Sequence, residues 1–458
     1  MSLMNPLERW RCRGRAALTA MPTGGGWPER LGRGALQLLL FLQPFNQLGA
    51  LRWLALVVLL GVLGALALRG VRRRAVRLPA SPAVRIALLL LGWMLLVSVC
   101  GPYPADSLVA MRQDLLMQGA LFVAALVLVR SAADAWRLVL AALAGFALLS
   151  ALSVGDAATL ISARGLGDRE YAHDSWWSGY GNKGGYYLPL LLGWLLTRAQ
   201  GRWWRAGGAA LLVVGIALVA LYGSRSPLLA SAGGALALLL FCRGRRLALR
   251  GGLVIGAVFL AIVLSPLGDR FNYDSLLSSQ TYVTNEGLSL RLSVWDGAWQ
   301  VIRERPWTGY GYGWKKLAWA INDGGFAQRW RAAPDLAAYY LPTQGLASYG
   351  RVNPHNYFLQ VLFEIGAVGL LLVAAFWLAL IREGLPLLRR ARTPGSDAVS
   401  AFVATVFATL LTYLAANFTN GYWSGGLANL SLALAAALLS LAATERRAHA
   451  AASGRIEP

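Results

Sequence analysis

Charge, cysteine and histidine are all scarce in this sequence. Only 14% of its 458 residues are charged, where soluble domains carry about 25%. That excludes a string of water-soluble domains. The three cysteines, Cys12, Cys100 and Cys242, fall in separate places, with no disulfide framework and no zinc-binding spacing. The three histidines, His173, His355 and His449, are equally scattered, which excludes a histidine metal centre. No small-residue cleavage site follows the basic N-terminal segment, so no removable signal peptide is expected. Internal repeats are missing too. The apolar runs divide unevenly around one long loop, which argues against a carrier built from matched halves.

What is present is apolar: 57% of the residues are hydrophobic. Runs near 34–51, 53–68, 84–101, 114–129, 137–154, 185–198, 207–222, 227–241, 251–266, 356–380, 399–418 and 423–443 approach the roughly 17–25 residues that a membrane span needs. The expected fold is an all-α integral membrane protein with about twelve transmembrane helices, both termini cytoplasmic, and one large structured outer loop with amphipathic helices. Residues 1–33 would form a cytoplasmic segment, 34–266 the first nine spans, 267–355 the large loop, 356–443 the last three spans and 444–458 a cytoplasmic tail. With the N-terminus inside, basic clusters such as "RGVRRRAVR" and "RGRRLALR" fall on the cytoplasmic side and most acidic residues fall outside. The net charge of +22 is then mostly the positive-inside bias. Membrane lipid is the expected surrounding, and no nucleic-acid partner is expected.

Two outer loops are long, 155–184 and 267–355, and long ordered loops are usually functional. The second is rich in Trp, Tyr and Gly rather than in the residues of disordered tracts. In "LSLRLSVWDGAWQVIRERPWTGYGYGW", Leu288, Arg291, Trp295, Trp299 and Ile302 recur at helical spacing. They predict a helix with one apolar-aromatic face, ended by Pro306. Gly309, Gly311 and Gly313 then alternate with Tyr310, Tyr312 and Trp314. An interfacial helix followed by a glycine turn accounts for this. So does a sugar-binding rim, where aromatic faces stack on sugars and glycines let the backbone approach the ligand.

Cations on the outer face run against the positive-inside bias, so each needs a reason. Arg225, in "YGSRSPLLA", lies in a tight turn between two spans. Pro227 suits the first turn of the next helix, and Ser224 or Ser226 could cap it. An arginine beside the N–H groups of a helix start makes an anion site, and phosphate is the obvious anion. Snorkelling to headgroups is the plainer alternative. Arg291 begins the loop helix. Lys183, in "GYGNKGGYY", its neighbour Asn182, Arg164 and Arg303 are further candidates for substrate or headgroup contact, and Trp307 and Tyr310 belong to the aromatic rim.

His355, in "NPHNYFLQVLFEIGAVG", is expected in the first turn of the tenth span with Asn353 as N-cap. The positive end of a helix disfavours an imidazolium, and a neutral ring can take a proton from a hydroxyl. A structural histidine hydrogen-bonded at the interface fits the same place. Asn356 beside it is a candidate substrate contact. Glu364 lies within the span, where acids are functional or bonded to a partner helix. No Asp-x-Asp pair occurs in an outer loop. Metal-independent chemistry is therefore expected, with arginine in place of a divalent cation at a leaving phosphate.

These features together resemble the O-antigen ligases, within the wider O-antigen ligase/polymerase family of bacterial membrane proteins. The resemblance covers the many spans, the cytoplasmic termini and the large loop between late spans. An R-x3-L motif matches from Arg225 to Leu229, and an H-x10-G motif from His355 to Gly366. The family's essential loop arginine maps best onto Arg291, followed by Trp295, Ala298, Pro306, Gly309 and Gly311, a block shared with the polymerases. The resemblance implies an undecaprenyl-diphosphate-linked glycan as donor and the lipid A-core oligosaccharide as acceptor. It implies transfer on the periplasmic face of the bacterial inner membrane, with inversion and with no metal, nucleotide or other cofactor. His355, Arg225 and Arg291 would be the catalytic residues. An O-antigen polymerase, a ligase that transfers glycan to protein, and a polysaccharide transporter remain as alternatives.

Overall fold

The apolar runs become helices. A computed structural model describes residues 26–45, 47–73, 79–164, 176–223, 225–265, 288–333, 336, 339–341, 353–393, 397–421, 423 and 425–453. The helices are α1 (Trp27–Leu42), α2 (Gly49–Arg73), α3 (Pro82–Cys100), α4 (Pro104–Ala110), α5 (Leu116–Leu128), α6 (Ala132–Arg164), α7 (Trp176–Thr197) and α8 (Arg202–Tyr222). They continue with α9 (Arg225–Arg243), α10 (Arg245–Leu264), α11 (Leu288–Ile302), α12 (Leu317–Asp323), α13 (Phe326–Arg329), α14 (Tyr357–Arg390), α15 (Ala398–Asn417) and α16 (Gly426–Ala452). A π-helical stretch, Met111–Leu115, joins α4 to α5. Among the described residues no strand occurs.

Nine helical stretches among the described residues are long and apolar enough to cross a membrane. The other three expected spans coincide with α1, α7 and α10, which fall outside that set. Several boundaries differ from expectation: α6 runs on to Arg164 and α7 begins at Trp176, so much of the expected loop 155–184 is helical, and α14 and α16 extend to Arg390 and Ala452. The run 34–51 breaks after Leu42, because Pro44 lacks the N–H that would continue the helix. The last helix starts at Gly426 rather than 423.

Side chains set several helix starts. Ser81 caps α3 by accepting the Val84 N–H at 3.2 Å, with Pro82 in the first turn. Asp397 caps α15 through the Ser400 N–H at 2.7 Å. Burial ranks the helices by place. In α16, 89% of the apolar window is inside the protein, against 28% in α2, α3 and α8. So α16 forms the core, while α2, α3 and α8 turn apolar faces such as Leu54, Leu89 and Val213 outward. That pattern fits a multi-pass membrane protein, whose outer surface meets lipid.

The two ends of the bundle differ in chemistry. At the end carrying the C-terminal part of α16, Glu383 accepts from Ser81 Oγ at 2.6 Å, Ala83 N at 3.1 Å and Arg446 at 3.0 Å. Asp134 there accepts from Arg33 at 3.2 Å and Arg137 at 3.3 Å. The opposite end carries the long loop and is called the loop end below.

Candidate active site

Asn356, not Asn353, caps α14. Its Oδ1 accepts the N–H groups of Phe358 at 2.9 Å and Leu359 at 3.1 Å, while its Nδ2 donates to the Phe418 carbonyl at 3.0 Å. His355 therefore stands just outside the helix rather than in its first turn. It is exposed, and its backbone is left-handed at φ 45°. Such a conformation is uncommon outside glycine and persists only where neighbours hold it. Asn353 does so: its Oδ1 accepts the His355 N–H at 2.7 Å. The expected cap thus serves the histidine backbone instead of the helix.

Arg225 opens α9 and is half-buried. Ser226 does not cap. Its hydroxyl donates to the Ala416 carbonyl at 3.2 Å and accepts from Thr419 Oγ1 at 2.6 Å. Ser224 lies outside the described residues. The turn after α15 is thus tied on one side to the start of α9, at Ala416 and Thr419, and on the other to the start of α14, at Phe418. That turn brings Arg225 and His355 to one mouth. Sequence reading passed over it, although "NFTNGYW" between two apolar runs is a dense set of turn and hydrogen-bonding residues.

The loop helix α11 lies beside the same mouth. Trp295 packs edge-on to Phe418 at 5.7 Å, and Phe418 meets Phe358 of α14 at 6.2 Å. Arg291 sits one turn before Trp295 on this helix; its side chain lies outside the described residues. The buried face of α11 is Val294, Ala298, Val301 and Ile302, with Leu292 and Trp299 exposed. The expected face through Trp299 is therefore turned outward. The cause is the packing of Tyr340 and Leu336, which crowd against Gly297.

Below the mouth a strap, 306–316, lies along a break in α14. At Gly366 the backbone takes φ 67° and ψ −174°, and a side chain there would collide with the Trp307 carbonyl. The break leaves helix carbonyls without their usual donors, and the surroundings supply others. Tyr310 N donates to Phe363 O at 2.8 Å, Gly311 N to Glu364 O at 2.9 Å, and Trp93 Nε1 to Ile365 O at 2.9 Å. Ala367 N donates to Pro306 O at 2.8 Å. Glu364, fully buried, accepts Gly313 N–H and Gln360 Nε2, both at 2.8 Å. Buried Lys316 donates to the Tyr312 carbonyl. Burial pushes the pKa of its ammonium down, while Glu364 pulls the other way. Left-handed backbone at Gly309, Gly311 and Gly313 lets the strap follow this path.

The remaining sequence candidates separate. Tyr310 is buried, stacked on Phe363 at 4.9 Å with its hydroxyl on the Val301 carbonyl, and burial raises its pKa. It presents no face to a sugar. Arg303 and Trp307 are exposed but stand beyond the C-terminal end of α11, with Trp307 at the break in α14. Lys183 donates to the Pro44 carbonyl at 3.1 Å, in the turn after α1. Two residues on, Gly185 packs directly on Pro227 of α9. Arg164 ends α6 and Asn182 lies in α7, with both side chains outside the described residues; His173 lies outside them altogether. Among the described residues, no three His, Cys, Asp or Glu side chains gather where they could hold a metal.

An exposed imidazole, an arginine-bearing helix start and a second arginine helix at the end of a bundle of apolar helices define a membrane protein with a candidate anion site at one surface. Residues 209–374, from α8 to just past the break in α14, match the family model of the O-antigen ligases. That match supports membership of the chain in the O-antigen ligase family. The matched stretch holds Arg225, Arg291, His355 and Gly366. No curated protein matches the chain.

Proposed function

We propose that the protein transfers O-antigen polysaccharide from undecaprenyl diphosphate to the lipid A-core oligosaccharide, at the periplasmic face of the bacterial inner membrane. A hydroxyl oxygen of the acceptor forms the bond to the anomeric carbon of the donor while the bond from that carbon to the diphosphate oxygen breaks. The hydroxyl proton goes to the His355 imidazole. The charge that grows on the diphosphate is held by Arg225 and Arg291, which serve in place of a metal. Attack opposite the leaving group inverts the anomeric centre. Lys183, Arg164, Asn182, Asn356, Arg303 and Trp307 are the wider set from which glycan and headgroup contacts would come, with Asn356 acting by fixing the start of α14.

One observation carries this reading. The turn after α15 joins the helix start bearing Arg225 to the one preceded by His355, and α11 lies against the same turn. The test is a purified reaction with pre-polymerised lipid-linked glycan and core acceptor. Appearance of glycan on the core supports the ligase reading. Growth of the lipid-linked chain, with the core unmodified, would make the protein a polymerase instead.

A further inference from the structure

The loop contributes two adjacent tyrosines whose hydroxyls go in opposite directions. Tyr339 Oη donates to the Asn353 carbonyl at 2.7 Å, and its ring stands edge-on to the His355 imidazole at 6.3 Å. Asn353 is the residue whose side chain holds the His355 N–H. Tyr340, fully buried, donates to the Val294 carbonyl of α11 and presses its ring against Gly297. The two rings touch at 4.9 Å, nearly perpendicular. A continuous path therefore runs from α11, through Tyr340 and Tyr339, to the left-handed backbone at His355.

We propose that Tyr339 is a positioning residue for His355: paired with Tyr340, it braces the histidine against the helix that carries Arg291. The proposal rests on His355 being the proton acceptor of the transfer. His355 lies outside α14, so the helix itself does not fix it. Its left-handed backbone needs neighbours to hold it, and Asn353 can do so only while its own backbone is held. The Tyr339 hydroxyl supplies that hold. A tyrosine ring also keeps its place at little entropic cost, having few rotatable bonds. A small misplacement of a proton acceptor lowers the chemical step far more than it lowers substrate binding.

The test is Tyr339→Phe, which deletes one oxygen. It is compared with Tyr103→Phe, which deletes a hydroxyl bonded to Asp323 of α12 at 2.7 Å. Purified protein is assayed with lipid-diphosphate-linked glycan and core acceptor, and rates are normalised to folded, monodisperse protein. Diethyl pyrocarbonate then reports on His355 directly in a His173→Gln/His449→Gln background, where it is the one histidine left. For Tyr339→Phe the expected result is a fall in kcat of about tenfold with KM within about twofold, together with faster modification of His355. Tyr103→Phe should change neither. Unchanged kcat and unchanged modification rate in Tyr339→Phe would overturn the proposal. If His355→Ala transfers glycan as fast as wild type, the catalytic reading fails, and the modification rates still decide whether the brace exists.

Discussion

At His355 the backbone φ is 45°, its N–H is held by Asn353, and the helix cap falls to the next residue. The four letters "NPHN" contain two asparagines able to cap a helix, and Pro354 at a first-turn position favours the first of them. The choice is made elsewhere. Asn356 also reaches the Phe418 carbonyl, a tertiary contact that local sequence cannot display. Arg225 offers a sharper chemical test. A lysine there keeps the charge but loses the planar fork that grips a phosphate in two places. Arg225→Lys should therefore retain fold and melting behaviour and lose about tenfold or more in kcat/KM, read in the purified transfer assay. A variant as active as wild type would remove Arg225 from diphosphate binding.

Among the elements, the strap and the broken α14 depend on each other. Three backbone or indole donors meet the carbonyls freed at Gly366, the Pro306 carbonyl accepts the freed Ala367 N–H, and the Glu364 carboxylate adds a fifth link through Gly313. The interval between His355 and Gly366 thus has a structural reason: it sets how far below the mouth the loop docks. Gly366→Ala should lower thermal stability by about 2 kcal/mol or more, since it combines a left-handed backbone with a collision. Gly256→Ala, in α10 where an added Cβ meets nothing within 4 Å, should be neutral or slightly stabilising. Thermal unfolding in one detergent compares them, and equal melting points would contradict the docking described above. The alternation of glycine with Tyr310 and Tyr312 was legible as special backbone. The burial of Tyr310 was not, because it follows from carbonyls that only the break in α14 uncovers. The turned face of α11 has a similar origin in Tyr340, distant in sequence from the heptad-like pattern it overrides.

For the whole molecule, long apolar runs made the helical class readable, since hydrocarbon leaves few other solutions for a buried backbone. The loop end and the end bearing Arg446 lie at opposite limits of the bundle. The positive-inside bias expects the second in the cytoplasm. With Cys12, Cys100 and Cys242 replaced by serine, a single cysteine at Arg303 should react with an impermeant maleimide added outside spheroplasts. One at Arg447 should react only after permeabilisation. The reverse pattern would invert the topology and move the site to the cytoplasm.

The most direct measurement of the central claim is single-turnover glycan transfer by purified wild type and His355→Ala, at equal folded amounts and with EDTA present. The proposed mechanism predicts full wild-type transfer in EDTA and a rate lower by about 10²-fold or more for the variant, with donor still bound. Transfer by His355→Ala at the wild-type rate, or loss of wild-type transfer in EDTA, would contradict it.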